Sequence, residues 1–143
     1  GRPDNATRIL KAEDLDAVML ALNYIGRHTY DFQAEPLQAA AAQNAGVAAM
    51  KVFGGAKDMK YENPVRSQMY QSGIRDHQRA LNYALSLPGV AIAVVGMFSV
   101  AEVEENVAYA RAYEPMDVHE LAATEEDGRS LAEQWKDHFG PVT

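Results

Sequence analysis

Cysteine is missing from all 143 positions of the sequence. Disulfide bonds, thiolate nucleophiles and cysteine-ligated metal sites are therefore excluded, and the cytosol is the default expectation for location, cytoplasmic rather than secreted. No apolar run approaches the roughly 18 residues that a membrane-spanning helix needs, so we expect no membrane role. The first residues, GRPDNATRIL, have neither the basic nor the apolar region of a secretory signal.

Positive charge is scarce as well. The sequence has 13 lysines and arginines against 20 aspartates and glutamates, a formal net charge of -7. This charge opposes sequence-independent binding to a phosphate backbone, so nucleic acid is not an expected partner. Because no GxSxG, P-loop or GxGxxG motif occurs, the esterase, kinase and Rossmann classes lack support. The histidines show no metal-ligand spacing, so the sequence supports no metal site, and we expect solvated or capping histidines.

Three short apolar stretches have the composition of buried strands, and a helical pattern follows each of them. The strands are predicted at Asp16 to Asn23, Gly46 to Phe53 and Val90 to Gly96, and the helices that follow at 37–44, 74–87 and 100–113. A further helix is predicted at Pro3 to Ala12. Strands that alternate with helices predict βαβ units and a parallel sheet, which places the chain in the α/β class.

The last part of the chain departs from this alternation. Residues 1–117 are predicted to form the α/β unit, and residues 118–143 a C-terminal helical extension. Leu131, Trp135 and Phe139 recur at i, i+4 and i+8, which is one face of a helix. The favoured interpretation is a helix that packs this aromatic stripe on the body of the protein, and the alternative is a subunit contact.

Two segments of the sequence carry a resemblance to a known family. The segments AGVAAMKVFGG (45–55) and ALNYALSLPGVAIAVVGMFSVAEVEENV (80–107) resemble the C-terminal part of the aldo/keto reductase family. Members of that family are (β/α)8 barrels that reduce carbonyls with a nicotinamide cofactor. The resemblance covers roughly residues 1–117, and it implies a partial TIM (β/α)8 barrel whose three parallel strands are the sixth, seventh and eighth.

The resemblance also implies a cofactor site. In the family, the last strand and the start of its helix hold the adenosine side of NAD(P), with backbone N–H groups and the helix dipole facing phosphate. Asn106 matches the family's adenine-contacting asparagine, and Ser99 is also placed to cap the helix. The cofactor-binding residues implied in this region are Gly96, Met97, Phe98, Ser99, Glu102 and Asn106.

Several positions depart from the family's pattern. Members that prefer NADPH often have a lysine at the position of Gly96 and an arginine at that of Glu102, which pair with the 2′-phosphate. A carboxylate at Glu102 would repel that phosphate, so we expect NADH as cofactor or loose selectivity between the two dinucleotides. Met50 and Met19 stand where many members have the nicotinamide-stacking tyrosine and an amide-binding glutamine. We favour core roles for both, with packing of the thioether against a ring as the alternative.

Lys51 and the residues after it complete the predicted ligand-binding face. A buried lysine at the end of the middle strand can be tuned for catalysis, whereas the favoured interpretation is a strand-end lysine paired with a carbonyl or a carboxylate. We keep Lys51, with Met50, as a candidate cofactor or substrate contact. The long polar segment 57–73 follows Gly54 and Gly55 on the same face, and its length is typical of ligand-binding loops.

The family's catalytic residues have no counterpart in this sequence. The resemblance places its proton-donating tyrosine, lysine, aspartate and histidine in the first part of the barrel. Three strands cannot close a barrel of eight, so we expect open edges, an open inner face and self-association unless another chain covers them. The leading hypothesis is an oxidoreductase module that contributes NAD(P)-binding elements to a barrel reducing a small carbonyl, inactive without an N-terminal part. The alternatives are a non-enzymatic half-barrel that oligomerises or binds a partner, and, with least support, a fragment of a different phosphate-binding barrel.

Overall fold

A computed structural model of the chain describes residues 2–56 and 65–141. Each predicted strand is confirmed, although each ends two or three residues before the apolar stretch does. The first helix begins and ends where the sequence predicts, and the other predicted helices shift by a few residues. The strands are β1 (Ala17–Ala21), β2 (Gly46–Met50) and β3 (Val90–Val94), and the helices are α1 (Pro3–Ala12), α2 (Glu35–Ala42), α3 (Gln68–Gln71), α4 (His77–Ser86), α5 (Val100–Arg111) and α6 (Val118–Trp135).

The strands form one parallel sheet in the order β1-β2-β3. Met19 lies opposite Ala48, which in turn lies opposite Ile92, and the register is irregular only between Val47 and Ala48 along the β2–β3 pair. Parallel neighbours need a crossover connection, which α2 supplies between β1 and β2 and α4 supplies between β2 and β3. The predicted α/β class and parallel sheet are confirmed.

The hydrophobic core lies on one face of this sheet. Strand side chains alternate between the two faces, so Leu20, Val47 and Ala49 point to the same side and are buried. Helix α2 packs against β1 and β2, α4 packs against β3, and α1 packs against α2. Tyr83 on α4 is among the largest side chains with almost no exposed surface in this core.

On the opposite face of the sheet, the described residues form no covering element. Met19 is 51% exposed and Ile92 is 58% exposed, and the register places them in one row across the sheet with Ala48 between them. Val94 extends the same apolar surface toward the carboxyl end of β3. The favoured core role is therefore wrong for Met19, because the helices cover only the other face. It is also wrong for Met50, which lies opposite Val94 on the same face, is only half-buried and is outside the core.

Helix α6 packs on the α/β unit. It begins with a capping box in which Asp117 and Glu120 satisfy each other's backbone N–H groups. Trp135 is buried and donates a hydrogen bond from Nε1 to Ser72 Oγ at 2.8 Å, and Leu131 packs against the core. The helix ends at Trp135, because Lys136 adopts φ 48, so Phe139 lies beyond it.

These contacts agree with the favoured packing of the stripe on the body, although its third member is not helical. The division of the chain at residue 117 stays a prediction. Within the described residues, no helix is long and apolar enough to cross a bilayer.

Candidate functional site

A cavity of about 210 Å³ lies at the carboxyl ends of β2 and β3, between the segment that contains α3 and the start of α5. Three of the predicted cofactor residues, Gly96, Glu102 and Asn106, line it together. The cavity lining consists of Phe53, Val65, Arg66, Ser67, Tyr70, Arg75, His77, Gly96, Glu102, Glu105 and Asn106.

The other predicted residues lie around this cavity rather than in its lining. Met97, Phe98 and Ser99 form the exposed turn between β3 and α5. Met50 and Lys51 lie at the end of the neighbouring strand, β2.

The turn from β3 into α5 is fixed by side-chain hydrogen bonds. Ser99 caps α5 as predicted, since its Oγ accepts the backbone N–H of Glu102 at 3.2 Å. The Glu102 carboxylate reaches back and accepts the backbone N–H of Phe98 through Oε2 at 2.6 Å. These two contacts resemble a capping box with the return bond displaced by one residue. The carboxylate of Glu102 is therefore held in place by its own turn.

Glu102 also forms an ion pair across the cavity. Arg66 Nη1 lies 2.6 Å from Glu102 Oε1, with the two side chains 45% and 24% exposed. The sequence led us to treat Glu102 as an unpaired negative charge that repels phosphate. That premise needs correction, because the guanidinium of Arg66 neutralises the carboxylate on which the argument depended.

Tyr70 and two arginines form an aromatic and cationic wall of the cavity. The guanidinium carbons of Arg66 and Arg75 lie 4.7 Å and 4.1 Å from the centre of the Tyr70 ring, which is cation–π geometry. Arg75 Nη1 also donates to the backbone oxygen of Tyr70 at 2.9 Å. No motif marks these three residues individually. Arg66 and Tyr70 lie within the predicted binding loop 57–73, whereas Arg75 lies beyond it and was not predicted.

His77 and Phe53 form another part of the lining. Their rings meet edge to face with centres 4.7 Å apart. Burial lowers the pKa of His77, although the nearby Glu105 carboxylate opposes this shift, so the neutral imidazole is favoured. The expectation that the histidines are solvated or capping is wrong for His77, which packs in the cavity lining. It is also wrong for His138, which is buried.

Lys51 occupies a different environment from either of the two that the sequence suggested. Its Nζ lies 3.7 Å from the centre of the Phe139 ring, a cation–π contact with the C-terminal segment. Its backbone has φ 56, in the left-handed region that costs a non-glycine residue free energy. Burial lowers the pKa of the Lys51 amine. The C-terminal segment therefore covers the lysine at the end of β2.

The predicted binding loop 57–73 falls partly on residues that the structure does not describe. Residues 57–64 lie outside the described residues, so the prediction of a binding loop is not tested there. Residues 65–73 contain Arg66, Ser67 and Tyr70, which line the cavity. In the described ranges, no group of three or more histidines, aspartates and glutamates is arranged to hold a metal ion.

Comparison with known proteins gives a likeness in fold. No protein-family model and no curated protein sequence matches the chain. The aldo-keto reductase AKR11C1 from Bacillus halodurans, in its apo form, superposes with a TM-score of 0.61 and 18% identity, over 87% of this chain and 47% of that one. Its holo form gives a TM-score of 0.59 and 18% identity, over 87% and 46%.

The chain thus spans less than half the length of the solved reductase. At this identity the likeness concerns fold alone. It confirms the fold that the sequence resemblance implied and is consistent with the C-terminal part of such a barrel. The chain has the fold of part of an aldo-keto reductase (β/α)8 barrel, with three parallel strands alternating with helices.

Proposed function

We propose that the chain is an oxidoreductase module of the aldo/keto reductase type, which contributes NAD(P)-binding elements to a barrel that reduces a small carbonyl. One observation carries this proposal. Gly96, Glu102 and Asn106, which the sequence resemblance implies as cofactor residues, line one cavity at the carboxyl ends of parallel strands. That end of the sheet is where (β/α) barrel enzymes bind their ligands.

The size and chemistry of the cavity favour one end of a dinucleotide. Its volume of about 210 Å³ is below the roughly 300–1,000 Å³ of pockets that enclose a whole drug-sized ligand. Asn106 offers amide groups that can bond the edge of a base, Tyr70 offers an aromatic face, and Arg66 and Arg75 offer guanidinium groups for phosphate. These residues fit the adenosine end of NAD(P).

The nicotinamide end has weaker support on this chain. Met50 presents a thioether where many reductases have a tyrosine, and Lys51 is covered by Phe139. We assign no catalytic residue here, because the tyrosine, lysine, aspartate and histidine of the family have no counterpart in the sequence. Carbonyl reduction would therefore need the rest of a barrel, with the bound cofactor supplying the hydride. Use of NADH, or of either dinucleotide, and a cytosolic location belong to the same proposal.

Thermal unfolding with added cofactor tests the proposal. A ligand that binds only the folded state raises its stability, by about 2.7 kcal/mol at one hundred times the dissociation constant. We expect NADH and NADPH to raise the melting temperature of the chain by several degrees. Asn106→Ala should remove most of that shift, whereas the matched substitution Asn5→Ala on exposed α1 should keep it. No shift at millimolar cofactor would count against the proposal.

The open surfaces favour a second candidate, a non-enzymatic module that self-associates or binds another protein. Met19 and Ile92 are exposed on the uncovered sheet face, and β1 and β3 are edge strands of the described sheet. Helix α5 adds an exposed apolar stripe at i, i+3 and i+7, formed by Val100, Val103 and Val107. Unpaired edges next to apolar surface favour association. Sedimentation of an oligomer, combined with no thermal response to either dinucleotide, would favour this candidate.

A further inference from the structure

The Arg66–Glu102 ion pair joins two parts of the cavity that differ in how firmly they are held. The Glu102 carboxylate is fixed by the N–H of Phe98 and belongs to the first turn of α5. Arg66 lies in the segment before α3, has its side chain 45% exposed, and contacts Glu102 through Nη1. A guanidinium has five N–H donors, so this pair leaves most of them available. Arg66 is therefore the partner that can move.

The charge of the cavity depends on where that guanidinium lies. While Arg66 contacts Glu102, the pair is neutral, and Arg75, which stacks on Tyr70 together with Arg66, is the remaining positive charge of the wall. A phosphate group competes well for a guanidinium, because the planar fork can bind two of its oxygens at once. A hydroxyl group does not compete in this way, and it can instead donate a hydrogen bond to a carboxylate. The same pair can thus accommodate either group.

We propose that the Arg66–Glu102 pair is the selectivity element of the cofactor site, and that Arg66 exchanges the Glu102 carboxylate for the 2′-phosphate when NADPH binds. When NADH binds, Arg66 and Glu102 stay in contact, and the Glu102 carboxylate accepts a hydrogen bond from the ribose 2′-hydroxyl. This inference rests on the proposed function. Each contact that Arg66 gains with the phosphate is offset by one lost with Glu102, so the wild-type chain discriminates weakly between the two dinucleotides.

Titration calorimetry with two mononucleotide probes tests this exchange in the full chain. The probes are 5′-AMP and 2′,5′-ADP, which differ by the 2′-phosphate, and the quantity compared is the ratio of their association constants. We expect 2′,5′-ADP to bind the wild-type chain within a few-fold of 5′-AMP. Arg66→Gln should lower the ratio of 2′,5′-ADP to 5′-AMP by about tenfold, and Glu102→Gln should raise it by about tenfold, as expected for one charge-assisted hydrogen bond.

The double variant separates direct contact from an indirect effect. If Arg66 binds the phosphate, Arg66→Gln must still lower the ratio when Glu102→Gln is already present. If Arg66 only holds Glu102 in place, the substitution has no effect on that background, and this result would overturn the proposal. Arg129→Gln makes the same change in net charge at an exposed ion pair with Glu126 on α6, so its ratio should equal that of the wild type.

Two further results decide between this inference and the broader one. If Arg66→Gln leaves the ratio of 2′,5′-ADP to 5′-AMP binding unchanged, the exchange of Arg66 between Glu102 and the phosphate is overturned. The proposal that the cavity binds a cofactor is not affected by that result. Failure of both mononucleotides and both dinucleotides to bind at millimolar concentration overturns both. Because the Arg66 side chain is nearly half exposed, its variants should fold, which circular dichroism checks. Arg66→Lys keeps the charge without the planar fork, and we expect it to give a ratio between those of wild type and Arg66→Gln.

Discussion

Replacing Trp135 with alanine should strongly destabilise the chain. Trp135 is 4% exposed, and a Cβ on Gly54 would overlap its ring. Its Nε1 donates to Ser72 Oγ, and its ring meets that of His138 at 5.0 Å between centres. Truncating a buried tryptophan to alanine costs about 3–5 kcal/mol through lost burial and the cavity left behind. This is a large share of the roughly 5–15 kcal/mol that stabilises a typical domain.

Urea unfolding followed by far-UV circular dichroism measures this loss. Fluorescence is unsuitable, because Trp135 is the only tryptophan of the chain. We expect the urea midpoint of Trp135→Ala to fall with an unchanged slope, and that of Trp135→Phe to fall less, since phenylalanine keeps a ring but loses the N–H donor. Val118→Ala, on the same helix and 73% exposed, should change the stability by less than about 0.5 kcal/mol.

A loss below about 1 kcal/mol for Trp135→Ala would contradict tight packing of this side chain, because truncations of well-packed buried tryptophans cost several times more. It would mean that α6 does not unfold together with the α/β unit. The two would then behave as the separate parts that the boundary at residue 117 suggests.

Two more predictions concern pH and association. Burial and the nearby Glu125 raise the pKa of Tyr83 far above its ordinary value. Above about pH 10 the tyrosine of the unfolded chain loses its proton while folded Tyr83 keeps it. The free energy of unfolding is therefore unaffected by this group below about pH 10 and falls by about 1.4 kcal/mol per pH unit above it. Tyr83→Phe should flatten that alkaline loss in melting experiments, and an equally steep loss would contradict this account. Met19→Lys with Ile92→Lys should reduce self-association in sedimentation velocity, whereas Val118→Lys should not; a monomeric wild type would contradict the prediction.

Local sequence patterns were sufficient for the strands and for the helices other than α3, which lies within the segment predicted as a loop. The apolar spacing of α1 and the hydroxyl of Ser99 before α5 are short-range signals, and both helices begin where those signals place them. The ends of the strands were not predictable in this way, because the apolar residues continue past them. Asn23 Nδ2 donates to the backbone oxygen of Lys51 at 3.2 Å, and Lys51 takes a left-handed conformation. A hydrogen bond between the Asn23 side chain and the backbone of Lys51 therefore joins the two chain segments just beyond the ends of β1 and β2.

The sheet's open face was predictable for a different reason. A sheet whose strands are apolar on both faces needs a packed layer on each face, and the predicted helices can form only one such layer. What the sequence did not indicate was that the face carrying Met19 and Met50 would be the uncovered one. Met19 lies on the open face, because side chains alternate along β1 and Leu20 takes the covered side.

Arg66 lies outside the short motif that contains the other charged residue of the ion pair. Gly96, Glu102 and Asn106 lie within one turn and one helix, so a local resemblance can identify them together. Arg66 is 36 positions from Glu102 and comes near it because α3 is anchored on the end of β2, where Met69 N donates to Phe53 O at 3.2 Å and the Met69 side chain is fully buried.

The sign of the charge near the 2′-position thus depends on a long-range contact that no spacing rule contains. For the same reason, Glu102→Arg is a poor test of selectivity, since it removes a carboxylate, adds a guanidinium and releases Arg66 in one step. Glu102→Gln changes the carboxylate alone and leaves Arg66 as the variable to be measured.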